Sequence, residues 1–131
     1  MSRKLKVSFE VTDNWERDDF RVFIKELLKY TDNYEVYIIS NDDSTAYIQR
    51  TGQILELDSN HILVVGFTID KLDAITTNNI DIHLDNLLTT VTRVDEETEA
   101  YGILVNELPN KYLDLPKYVV EFNRAVEKLN E

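Results

Sequence analysis

The chain has 131 residues, 14 Lys and Arg against 25 Asp and Glu for a formal net charge of −11, and no cysteine. The missing cysteines exclude thiolate metal sites, cysteine nucleophiles and disulfide scaffolds, and the acidic balance opposes direct binding to nucleic-acid phosphates or to an anionic membrane. At 43% hydrophobic with five Phe, seven Tyr and one Trp, the composition is too apolar for a disordered chain and matches one globular domain, residues 1–131, able to bury an ordinary core.

The first strand is written by Leu5, Val7, Phe9 and Val11 alternating with Lys4, Lys6, Ser8 and Glu10. The positive start at Arg3, Lys4 and Lys6 is followed by this alternation and not by an apolar export segment, so a cytoplasmic location is expected. The longest apolar run, Ile62-Leu63-Val64-Val65-Gly66-Phe67, is far short of the roughly 20 residues of a membrane span. After the turn formers Thr12, Asp13 and Asn14, residues 18–30 place Phe20, Phe23, Ile24, Leu27 and Leu28 at helical spacing behind Asp18 and Asp19. Residues 34–40 are β-branched and aromatic, a second strand. Ser44 is the expected N-cap of a helix reaching about residue 57, weakened by Thr51-Gly52.

The alternation then continues with a strand at 61–65, a helix at 71–78, a strand at 81–84, a helix at 90–99 and a strand at 101–105. A polar loop fixed by Pro109 and Pro116 follows at 107–116, then a strand-to-helix segment over 118–129. Strands separated by helical stretches predict an α/β fold, a three-layer sandwich around a mainly parallel, Rossmann-type sheet of about five strands.

In open sheets of this kind, function gathers outside the carboxyl ends of the strands. Those ends carry Glu10 to Asn14, Ser40 to Asp42, Gly66 to Thr68, Asp85 with Asn86, and Asn106, while Lys71 opens the helix ahead of the fourth strand. Each has an ordinary reading as well. Glu10 suits a solvated strand position in phase with Lys4 and Lys6, Ser40 and Asn41 suit a helix cap, Lys71 a surface position, Asp85 a helix cap as much as a metal ligand. His61 and His83 read as structural, because no metal-site spacing accompanies them. With glycine only at 52, 66 and 102, neither a dinucleotide loop, a phosphate loop nor a nucleophile elbow can be written.

An acid, a hydroxyl, a lysine and a second acid in this order resemble the haloacid dehalogenase (HAD) superfamily of phosphatases, closest to its small cap-less nucleotidase-like members. The segments that carry the resemblance are Val7-Ser8-Phe9-Glu10-Val11-Thr12-Asp13-Asn14-Trp15, Ile38-Ile39-Ser40-Asn41, Asp70-Lys71-Leu72 and Ile82-His83-Leu84-Asp85-Asn86, and similarity to the closing segments of that group extends over 102–106 and 118–122. The resemblance implies catalytic positions at Glu10 and Thr12, phosphate binding by Ser40, Asn41 and Lys71, and magnesium, if it binds, at Glu10 and Asp85. In the family both catalytic positions are Asp, the first attacking phosphorus and the second handling the leaving-group proton. Glu10 moves the carboxylate by one methylene, and a misplacement of about 1 Å can cost roughly 10²-fold; the Thr12 hydroxyl does not titrate in the useful range. The expected function is therefore a catalytically degenerate HAD-like domain that binds a phosphorylated small molecule or a protein partner. The alternatives are an active magnesium-dependent phosphatase and an acidic interaction protein mimicking nucleic-acid charge.

Overall fold

The computed structural model describes residues 4–10, 34–40, 48–49, 52–53, 56–105 and 115–129, the side chains of the last stretch from Val120 on. Five strands, β1 (Leu5–Phe9), β2 (Tyr34–Ser40), β3 (Ile62–Val64), β4 (Ile82–Asp85) and β5 (Tyr101–Leu104), form one sheet in the order β3-β2-β1-β4-β5, with every pairing parallel. Three helices are described end to end: α1 (Thr68–Thr77), α2 (Leu88–Glu97) and α3 (Leu115–Leu129). The chain builds outward from β1 to β3, returns to the far side of β1 for β4, and continues to β5. This reversal makes the crevice between the carboxyl ends of β1 and β4 the topological switch point, where α/β sheets bind ligands.

The strands present two different faces. Leu5, Val7 and Phe9 of β1 and Ile82 and Leu84 of β4 point to one side, where they form a core with Ile38, Ile48, Ile103, Phe122 and Ala125. On the other side Tyr37 and Ile39 pack with Leu72 and Ile75 of α1 and Val94 of α2. Helices thus cover both faces, giving the three layers that the alternation of elements predicts. The center of the second face is polar, for Ser8, Glu10, His83 and Asp85 lie there and all are buried.

Among the element boundaries that differ from the sequence expectation, three are helix starts. α1 begins at Thr68 rather than 71 and α2 at Leu88 rather than 90, and at each start an acidic side chain holds the amide of the N-cap residue: Phe67 N–H donates to Asp70 Oδ2 at 3.2 Å and Leu87 N–H to Asp85 Oδ1 at 3.1 Å. The last segment is helical from Leu115, with no strand over 118–122; Pro116 falls in its first turn, where a missing N–H costs nothing. The predicted helix at 18–30, together with Thr12, Asn41 and Asn106, lies outside the described residues.

Gly102 on β5 lets α2 approach closely, for a Cβ there would stand 2.8 Å from Val91 O. Because the obstruction is backbone, Gly102→Ala is expected to lower stability by on the order of 1 kcal/mol. The urea midpoint measures it, and an unchanged midpoint would mean that α2 is free to shift.

Candidate functional site

Lys71, in the first turns of α1, is buried to 0% exposure and turns its ammonium toward the switch point. Its Nζ donates to Glu10 Oε1 at 2.8 Å and to Asp85 Oδ2 at 2.8 Å. Glu10 directly follows β1 and continues its ladder, Glu10 N–H donating to Leu84 O at 2.9 Å, so that it stands beside the end of β4. Three residues far apart in sequence and singled out from it, Glu10, Lys71 and Asp85, meet here. Glu10 is 3% exposed and Lys71 fully covered, which overturns the solvated-strand and surface-lysine readings: the face that alternation marks as polar is roofed by helices, and ion pairing satisfies its charges.

A second chain of contacts supports the first. His83 Nε2 lies 2.8 Å from Asp85 Oδ2, and His83 Nδ1 lies 2.6 Å from Ser8 Oγ, its register partner on β1. A carboxylate only accepts, so Nε2 carries a proton; in the neutral ring Nδ1 then accepts from the Ser8 hydroxyl. The order hydroxyl, imidazole, carboxylate is that of an acyl-transfer relay, but Ser8 is buried to 0% within the sheet, where no substrate carbonyl reaches it. Its role is to orient His83, and through it Asp85. Sequence reasoning missed Ser8 and the link from His83 to Asp85. The signal was there in the period of two, which puts Ser8 with Glu10 and His83 with Asp85 on one face.

Asp85 is the hub. Oδ2 accepts from Lys71 and His83, and Oδ1 from the Leu87 amide, so Asp85 supports the entry to α2 and holds the Lys71 ammonium. Burial pushes the Asp85 carboxyl up, but the hydrogen bond and charge of His83, and then the Lys71 ammonium, outweigh it and hold it at about 2.

These contacts also bear on magnesium. The ammonium bridges one oxygen of each carboxylate, and both lone-pair positions of Asp85 Oδ2 are taken by Lys71 and His83. Among the described residues no group of three or more His, Asp or Glu is placed to hold a metal. Among the described residues, Glu10 Oε1 and Asp85 Oδ2 hold an ammonium between them rather than a metal ion.

Ser40 ends β2 and is buried, its carbonyl accepting from Val65 N–H at 2.8 Å. His61 stacks on Tyr37 with centroids 4.1 Å apart and bonds Val36 O through Nδ1 at 3.0 Å, a structural histidine as expected. A hollow of about 520 Å³ lined by Asn79, Asp81, Glu97 and Glu99 opens at the amino end of the sheet, opposite the Glu10, Lys71 and Asp85 cluster. Among the described residues no helix is long and apolar enough to cross a membrane.

The chain matches no known family model, and no curated protein matches its sequence.

Proposed function

We propose that this chain is a HAD-like domain without phosphotransfer chemistry that works by binding a protein partner at the carboxyl ends of its strands. The observation that carries this reading is the state of Lys71. Its ammonium is bonded to two carboxylates, both buried with it. A phosphate dianion is attracted by exposed or under-neutralised cations; here the Lys71 ammonium is buried and already bonded to two carboxylates. The strand order and the meeting of Glu10, Lys71 and Asp85 at the switch point support the scaffold half of the proposal, and Glu10 and Thr12 at the positions of the family's two aspartates support the loss of chemistry. A buried ion cluster of this size adds little stability over an apolar one of the same volume. An inherited site is a sufficient reason for its presence.

The test is hydrolysis of nucleoside monophosphates and a generic aryl phosphate with added magnesium. The native protein is expected to show no turnover above background; turnover abolished by both Glu10→Gln and Asp85→Asn would overturn the proposal. The scaffold half is checked by returning both aspartates. Glu10→Asp with Thr12→Asp is expected to gain magnesium-dependent turnover of the aryl phosphate, and a well-folded double variant without it would remove phosphatase ancestry from the reading.

A further inference from the structure

The rim above the buried cluster is apolar where a soluble protein would ordinarily be polar. Phe67 is 74% exposed and Leu88 63%, and Val64, Ile69 and Leu87 are about half exposed. All five stand at the carboxyl ends of β3 and β4 or in the turns that open α1 and α2. Asp85 ties the two turns together, since its oxygens hold the Lys71 ammonium from α1 and the Leu87 amide ahead of α2.

The positions of two of these residues are informative. Phe67 and Leu87 are the N-cap residues of α1 and α2, and neither makes a side-chain cap hydrogen bond. Ser, Thr, Asp or Asn at an N-cap stabilises a helix and an apolar residue does not. Among the described residues, Phe67 neither caps α1 with its side chain nor joins either core cluster.

Charge selects the occupant. Residues 62–70 and 86–92 contain no Lys or Arg and one acid, Asp70, and Lys71 is buried and neutralised. The whole chain carries −11, so a second copy or an anionic membrane would approach against repulsion, whereas a basic partner is steered in. We infer that this rim is the docking surface for a basic, amphipathic segment of another protein, one that sets two or three large apolar side chains against Phe67, Leu87 and Leu88 and carries Lys or Arg beside them. This rests on the binding reading above and names the partner's chemistry.

The probe is a short fluorescein-labelled helical peptide of Leu and Lys, titrated with the full chain by fluorescence anisotropy. Its controls are a Leu and Glu peptide of the same length and a Ser and Lys peptide of the same charge. The Leu and Lys peptide is expected to bind, more weakly as salt is added, and neither control to match it. Phe67→Ser with Leu88→Gln is expected to weaken binding by at least about tenfold, with the thermal midpoint unchanged, while Val120→Ser, at an exposed apolar position on α3, leaves it as it was. Equal binding of the Ser and Lys peptide, or indifference to the rim substitutions, overturns the inference. So does a native dimer that Phe67→Ser with Leu88→Gln dissociates, which would make the occupant a second copy, or a large fall in thermal midpoint, which would make it this chain itself. Magnesium-dependent turnover would sink the proposed function without moving any of these readouts, so the two failures are distinguishable.

Discussion

Lys71→Met is expected to lower the folding stability by about 3–5 kcal/mol, the cost of breaking a buried ion pair by removing one partner. The methionine fills nearly the same volume as the lysine stem, so little of the loss is packing. What remains is Glu10 and Asp85 buried together without the ammonium that bridged them, Asp85 still bonded to His83. One of the two carboxyls then takes up a proton on folding. A fold that takes up a proton gains stability as pH falls, so the deficit of Lys71→Met relative to the native protein should shrink from pH 7 toward pH 5. Removing the remaining charges at neutral pH tests the same cause: Glu10→Gln with Lys71→Met and Asp85→Asn should recover roughly half of the loss or more, a non-additive result because the three side chains act as one unit. Urea midpoints of the three proteins decide it. A triple variant less stable than Lys71→Met alone would mean that specific hydrogen bonds, rather than stranded charge, hold the site together.

The parallel α/β architecture was legible because each strand segment is short, β-branched and bounded by turn formers, and each connection is long enough for a crossover. The chain order Glu10, Ser40, Lys71, Asp85 was legible as well, since topology alone sends strand ends and the following helix starts to one edge of a parallel sheet. Burial was not. Lys4, Lys6, Ser8 and Glu10 alternate with apolar residues as they would on a solvated face, yet Ser8 and Glu10 are covered, because β1 is central and α1 and α2 lie across that side. Helix starts were misplaced for a related reason. The expected signal is a small polar residue at the cap itself, whereas Asp70 reaches back from inside α1 and Asp85 forward from the end of β4. Pro116 marks a loop by composition and sits in the first turn of α3 by geometry. The rim was hidden most completely, since Phe67, Leu87 and Leu88 are written in the same alphabet as the core and only their place at helix starts exposes them.

Asp85 makes stability fall with acid in a defined window. Its carboxyl is held at about 2 in the folded protein against 3.8 for the free group. The folded carboxyl is thus the more acidic, so the contribution is fully present above pH 4 and is lost as pH falls through the folded value near 2, where folded and unfolded forms are equally protonated. A difference of this size corresponds to about 2 kcal/mol, to order of magnitude, for a group this deeply buried. The native protein should therefore lose stability progressively between about pH 4 and pH 2 beyond what its exposed carboxylates cause. Asp85→Asn is less stable at pH 7, since Lys71 keeps only Glu10 and the amide cannot repay the burial of a full charge, but it carries no Asp85 titration. The gap between native and Asp85→Asn should narrow by about 2 kcal/mol over that window. Chemical-denaturation midpoints of the two proteins at pH 7, 4, 3 and 2.5 trace the gap; a constant gap would mean that the carboxyl titrates alike in both states, and that the hydrogen bonds from Lys71 and His83 leave its charge unstabilised.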